Sequence, residues 1–285
     1  MEMVQSKVIV LAAAALLASS CGSRYTWEHF KIDGHRTGVT VPAADNVAEA
    51  LGTVDAERYV SPNGNVYLPG SATYAVASDM IEAQTVMSRV KEVIGRSERE
   101  LVAHAPESEL SNWLVDHLME DVGRLTGRKV DVGISNFGGI RVSLPEGDVF
   151  LDDLLSMFPF KNYLCYVALK GSDLQAIFDH MAETRPQVLG GVKFVVTDRQ
   201  IDTLLVGGAP IDPDADYGVA TIDFLLDGGD GLNIAKNARE LIITDVRIID
   251  SMLPYARSFA EAERPITYFT DGRVVVNRTE KEERQ

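Results

Sequence analysis

The 285 residues are 46% hydrophobic and 24% charged, with a formal net charge of −15 and a pI near 4.7. Such an excess of carboxylates argues against nucleic acid as a partner, because its phosphates need Lys and Arg to neutralise them; a mononucleotide needs only a few well-placed donors. Cys21 and Cys165 are too few for a disulfide framework. The five histidines fall in no H-x-x-x-H ligand spacing, so no metal site is visible.

Lys7 precedes the apolar run Val8 to Leu17, too short to span a bilayer and suited to a signal-peptide core. The small residues Ala18-Ser19-Ser20 then lead into Cys21-Gly22. This arrangement resembles a bacterial lipoprotein signal over residues 1–20, with Cys21 as the lipidated first residue of the mature chain. The expected product is exported and lipid-anchored in the bacterial cell envelope, periplasmic or at the outer membrane. Losing Glu2 and Lys7 leaves the charge at −15.

Residues 21–71 are rich in Gly and Pro with little periodicity, and read as a loosely structured lead-in. A domain is expected over 72–278, followed by a charged tail at 279–285. Val76, Met80, Ala83, Met87, Val90 and Ile94 recur at four- and three-residue steps, predicting one amphipathic helix closed by Gly95. Ser108 can cap a second helix with Leu110, Leu114, Leu118, Val122 and Leu125 on one face, stopped by Gly127. His117 and Trp113 flank that stripe as packing residues. Val130 to Ile134 reads as a buried strand, and Leu151 to Met157 as a short helix. Tyr163 to Leu169 is a buried strand holding Cys165 as an inert thiol. A helix opens at Gly171-Ser172, and strands are expected around 192–196, 203–206 and 217–222. Asp250 is placed to cap a last helix with Pro254 in its first turn, and Asp271-Gly272 to turn a hairpin between 266–269 and 274–276. Strands and helices alternate without a strict βαβ repeat, which predicts an α+β fold: mixed sheets layered with helices.

Two glycine clusters carry the functional signal. Ser135-Asn136-Phe137-Gly138-Gly139-Ile140-Arg141 follows a strand, and paired glycines there let backbone turn sharply and approach a ligand closely. Asn136 offers an amide and Arg141 a five-donor fork. Downstream, Phe224 precedes Gly228-Gly229-Asp230-Gly231. Between them Pro159 forces Phe158 out of helical conformation, so the Phe158-Pro159-Phe160-Lys161-Asn162 bend displays its aromatics rigidly.

With the Leu169-Lys170-Gly171-Ser172 turn, these stretches occur in an order and spacing that resembles the C-terminal domain of the 5′-nucleotidase and UDP-sugar hydrolase family, over about residues 90–277. The resemblance implies a nucleoside-recognition domain. Phe160 and Phe224 would sandwich the base, Asn162 would hydrogen-bond it, and Asp230 would accept from ribose hydroxyls. Arg141 would reach ribose or phosphate oxygens, while Asn136, Gly138, Gly139 and Gly229 shape the loops. Two departures stand out: Phe137 occupies a family glycine position, and Ala105-Pro106-Glu107-Ser108 offers no counterpart to a phosphate-side arginine. The complete ligand set D-x-H, G-D and G-N-H-[DE] of a two-metal phosphatase does not occur together in these residues. The expectation is therefore no catalytic residue, metal or cofactor on this chain, with two divalent metals on a separate metallophosphatase partner. The alternative is a non-enzymatic nucleotide- or nucleoside-binding lipoprotein. A hydrolase using Asp152 and Asp153 is disfavoured, since aspartates near a helix start are usually caps.

Overall fold

The computed structural model describes residues 46–87 and 89–278. The signal segment, Cys21 and the tail from Thr279 lie outside these residues. The described part of the lead-in holds α1 (Val47–Leu51) and three two-residue strands, β1 (Thr53–Val54), β2 (Tyr59–Val60) and β3 (Val66–Tyr67), paired antiparallel in that order. Tyr59 anchors this sheet by donating from its hydroxyl to the Leu51 carbonyl at 2.8 Å.

The helix expected over 76–95 ends sooner: α2 spans Ala72–Met87, and Ile94 and Gly95 lie in strand β4 (Val93–Ser97). Strand β4 pairs antiparallel with β6 (Gly147–Phe150), and that long-range ladder overrides the helical spacing that happened to continue through Val90 and Ile94. On α2 the stripe is largely solvent-facing, with Val76 57% and Met80 47% exposed.

Helix α3 (Glu109–Thr126) matches its expected limits because both ends are chemically marked. Ser108 Oγ accepts from Ser111 N while Ser111 Oγ accepts from Ser108 N, and Gly127 closes the last turn at φ 64°. Its inner face carries Leu110, Trp113, Leu114, Leu118 and Val122, all fully or almost fully buried. They pack on a five-stranded sheet ordered β12-β7-β11-β5-β8, built from β5 (Val132–Ser135), β7 (Tyr163–Lys170), β8 (Val188–Gly190), β11 (Asp216–Ile222) and β12 (Glu240–Arg247). All neighbours are antiparallel except β11 and β5, which run parallel. Helices α4 (Leu151–Met157), α5 (Gly171–Glu183) and α6 (Ile248–Glu261) complete the layers. A three-stranded sheet places β9 (Val192–Thr197) between β10 (Gln200–Val206) and β13 (Val274–Asn277). The mixed α+β architecture is as expected.

Two expectations at the C-terminal end are corrected. No hairpin forms at Asp271-Gly272: β13 runs parallel to β9, and the preceding segment is held elsewhere. Ile266 N donates to Arg96 O, Asp271 N to Glu107 Oε1 and Tyr268 Oη to Asp116 Oδ2, while Arg273 pairs with Asp116 and Asp271. Those bonds fasten residues 266–273 to β4, to Glu107 just before α3 and to Asp116 within it. Helix α6 also begins at Ile248, so Asp250 is its third residue and Pro254 its seventh. Buried Ile248 and Ile249 pull the first turn in, and Asp250 accepts from the Arg247 guanidinium at 2.6 and 2.8 Å.

Between α3 and α6, the His117 ring stacks on Tyr255 at 3.9 Å and 2°. Its Nε2 lies 3.1 Å from Ser251 Oγ, which donates to Asp121 Oδ2 at 2.6 Å. Burial holds the imidazole pKa below its ordinary value, opposed mainly by the Asp121 charge. The unfolded chain therefore takes up this proton first. Stability from neutral His117 is complete above the unfolded pKa of about 6.5 and is lost as pH falls below it. Urea unfolding at about pH 7.5 and about pH 5.5 should show a larger loss for the wild type than for His117→Phe, by at most ~1.4 kcal/mol per pH unit. An equal loss in both proteins would refute this assignment.

Candidate nucleoside site

The sheet topology brings the three expected loops to one edge. Strands β5 and β11 are parallel neighbours, with Val132 opposite Val219 and Gly133 opposite Ala220, so both release their following loops at the same end. Strand β7 runs antiparallel to β11 with Leu164 opposite Ile222, so the bend before it starts at that end as well. This edge therefore carries the Asn136 turn, the Phe160 bend and the glycine loop after Phe224. Crevices beyond the carboxyl ends of parallel strands are where open α/β sheets commonly take ligands.

Three contacts knit the loops. Asn136 Nδ2 donates to Asp230 Oδ2 at 2.6 Å, joining the turn to the glycine loop. The Arg141 guanidinium carbon lies 5.9 Å from the Phe160 ring centroid, joining the turn to the bend. Asp223 Oδ1 accepts from Tyr163 N at 3.1 Å and Phe224 N at 2.9 Å, joining the bend to the loop.

The glycines have specific reasons. A Cβ at Gly139 would sit 2.7 Å from Asn136 Oδ1, so only a bare backbone lets the Asn136 side chain fold over its own turn and aim at Asp230. A Cβ at Gly229 would meet the Phe224 carbonyl oxygen at 1.9 Å, which is why the loop can close tightly behind that ring. Gly138 contributes its carbonyl, which accepts from Arg141 Nη1 at 3.2 Å. Asp230 itself is left-handed, at φ 48° and ψ 30°, a conformation that Asp and Asn tolerate better than most residues.

Phe160 and Phe224 are 47% and 46% exposed, too open for core residues of that size. Their neighbour Phe158 is only 3% exposed, so the bend displays one aromatic and buries the other. Asn162 is half-buried at the end of the bend, where its carbonyl accepts from Ile248 N at 3.0 Å. Its side chain makes no hydrogen bond among the described residues. Phe137 turns to the protein: its N–H donates to Gln187 Oε1, and Arg185 lies 6.0 Å from its ring. Cys165 is fully buried, and burial, with the Asp223 charge, pushes its thiol up to about 12, so no thiolate forms at neutral pH. Asp153 accepts from Phe150 N at 2.8 Å and caps α4. Among the described residues no group of three His, Cys, Asp or Glu side chains is placed to hold a metal ion.

Asp223 is the residue that sequence reasoning missed. It sits directly before Phe224 and looks like an ordinary polar strand terminus, with its acceptor role set by a backbone 60 residues away.

Fold and edge together define an α+β domain whose chemistry at that edge is two open aromatic rings, an Asn–Asp pair and one arginine. The sequence model of the 5′-nucleotidase C-terminal domain matches residues 90–237, and the chain belongs to this family. An apyrase from Tabanus yao is 26% identical over 277 residues, covering 83% of this chain and 49% of the relative. Protein UshA of Escherichia coli is 31% identical over 106 residues, 35% of this chain and 19% of that protein. A 5′-nucleotidase precursor from Thermus thermophilus superposes with a TM-score of 0.62 at 23% identity, over 75% of this chain and 46% of that one. The NAD nucleotidase of Haemophilus influenzae gives 0.55 at 14% identity, over 78% and 48%. The chain thus spans about half the length, or less, of these relatives. No helix among the described residues is long and apolar enough to cross a membrane.

The Asp223 contact can be read without any ligand. Asp223→Ala should expose the Tyr163 and Phe224 amides to exchange and cost about 1–2 kcal/mol, whereas Asp223→Asn, which keeps an acceptor, should preserve most of the protection. Amides equally protected in Asp223→Ala would show that another group holds the two loops together.

Proposed function

We propose that this chain is the nucleotide- or nucleoside-recognition part of a 5′-nucleotidase-type hydrolase acting in nucleotide catabolism. The observation that carries it is the pair of half-exposed rings, Phe160 and Phe224, held on adjacent loops by Asp223 and facing the same sheet edge as the Asn136–Asp230 pair. A base would stack between the rings, which suits any purine or pyrimidine because each has a π-face. Asp230 would accept from the ribose hydroxyls, Asn162 would meet the base edge, and Arg141 would bind ribose or phosphate oxygens through charge-assisted bonds. We assign the two-metal chemistry to a metallophosphatase unit on a separate partner chain, and the cell-envelope location to lipidation of Cys21. Support for the first is the incomplete set of metal-ligand motifs in these residues; support for the second is the apolar run and small residues before Cys21.

Calorimetric titration with adenosine tests the recognition. Phe160→Ala and Phe224→Ala should each weaken binding by roughly 1–3 kcal/mol, with losses that do not add, since half a sandwich has already lost much of its desolvation. Asp230→Asn should weaken ribonucleosides more than 2′,3′-dideoxy analogues. A folded Phe224→Ala variant with wild-type affinity would end the stacking model. For the chemistry, phosphate release from AMP should be negligible with this chain alone and appear when a candidate metallophosphatase chain is added. Robust divalent-dependent release by the pure single chain would overturn the division of labour.

A further inference from the structure

A fourth segment reaches the edge that carries the nucleoside site. Strand β8 runs antiparallel to β5, with Gly133 opposite Gly190 and Ser135 opposite Val188, so β8 begins where β5 ends. Continuing that register sets Gln187 beside Asn136 and brings Arg185 to the Gly138 turn. The Phe137 N–H donates to Gln187 Oε1 at 3.4 Å, which ties the segment to that turn. We propose, resting on the nucleoside reading, that Arg185 is the phosphate-side cation of this site and makes its preferred ligand a 5′-nucleotide rather than a nucleoside.

The order of groups along the sheet carries the proposal. Strands β7, β11, β5 and β8 are successive neighbours, each about 4.8 Å from the next. Phe160 precedes β7 and Phe224 follows β11. Asp230, on the loop after β11, is held by Asn136, on the turn after β5. Arg185 precedes β8, one strand further along. Aromatic faces, a carboxylate and a cation thus succeed one another along the edge, as base, ribose and phosphate do in a 5′-nucleotide. Arg141 is drawn the other way, toward β7, with its guanidinium carbon 5.9 Å from the Phe160 ring centroid. The place beyond Asp230 is left to Arg185.

Arg185 is also prepared for an anion. It is exposed, and its guanidinium has no carboxylate partner among the described residues. The Phe137 ring, 6.0 Å away, steadies the side chain without using any of its five donors. Pro186 disfavours helical conformation at Arg185, so α5 stops at Glu183 and the arginine is presented on the way into β8. A guanidinium fork engages phosphate oxygens in pairs through charge-assisted bonds. Both departures of this sequence from its family fall on the same spot. Phe137 supplies the ring that seats the arginine, and Ala105 and Pro106, which bring no arginine of their own, line one cavity with Arg185.

Calorimetric titration of the full chain with adenosine and with AMP reads the proposal as a ratio of affinities. The wild type should bind AMP about tenfold more tightly than adenosine or better, and added salt should narrow the gap. Arg185→Ala should lower AMP affinity by about tenfold and leave adenosine affinity in place. Phe137→Leu should reduce the ratio by less, and should not reduce it further in an Arg185→Ala background, because the ring acts through the arginine. Melting curves of each variant check that the fold is intact. A ratio that Arg185→Ala leaves unchanged overturns the proposal while the nucleoside reading stands, and so does a wild type with equal affinity for the two ligands. A folded wild type that binds neither ligand strikes the nucleoside reading and this proposal together.

Discussion

The contact on which the site depends is the hydrogen bond from Asn136 to Asp230. It joins two loops 94 residues apart in sequence, and each loop is shaped to allow it. On one side Gly139 has no side chain, because a Cβ would press into the Asn136 amide at 2.7 Å. On the other, Asp230 adopts a left-handed backbone between Gly229 and Gly231. The bond is not free of cost: Asn136 is 4% exposed and its Oδ1 has no partner among the described residues. A buried unpaired acceptor costs about 1–3 kcal/mol, so a local arrangement with this defect needs compensation from the surrounding core.

That compensation is the five-stranded sheet under the site. Strands β5, β11 and β7 are almost wholly buried and fix where each loop leaves the sheet to within one residue of register. A slip of one residue on β11 would turn Val219 and Thr221 to the wrong face and carry Phe224 away from the bend. The rigid part of the molecule thus specifies loop origins, while short-range contacts such as those of Asp223 tie the Tyr163 and Phe224 backbones together. Helix α3 guards the same arrangement from behind, since Trp113, Leu114 and Leu118 fill the space against the sheet.

The legibility of the sequence followed the range of the forces involved. Helix α3 was readable to the residue because its limits are local events, a Ser–Ser capping box and a left-handed glycine. The Phe158-Pro159-Phe160 bend was readable because proline restricts its predecessor directly. The parallel pairing of β13 with β9 was not, because Asp271-Gly272 has the local chemistry of a hairpin turn. The bonds that forbid the hairpin come from Glu107 and Asp116, more than 150 residues away. The same applies to Ile94, whose spacing suits a helix but whose partner strand β6 lies far along the chain. Asp223 was invisible for this reason too: besides the neighbouring Phe224 N it accepts from Tyr163 N, which lies 60 residues away.

The choice of asparagine opposite Asp230 has a consequence for what this edge can recognise. An ionised carboxylate offers two oxygens with about four acceptor positions between them. An arginine partner would engage both oxygens through its fork and neutralise the charge. Asn136 engages Oδ2 through one neutral N–H, so it fixes the direction of the carboxylate while leaving its charge and its second oxygen for a ligand. Arg141, the nearby cation, is turned to the Gly138 carbonyl and the Phe160 ring instead. The edge therefore keeps acceptor and donor functions apart, a carboxylate on one loop and a guanidinium on another, with two aromatic faces beside them. A ligand matched to that separation has hydroxyl donors at one place, an anionic or polar oxygen at another, and a flat ring.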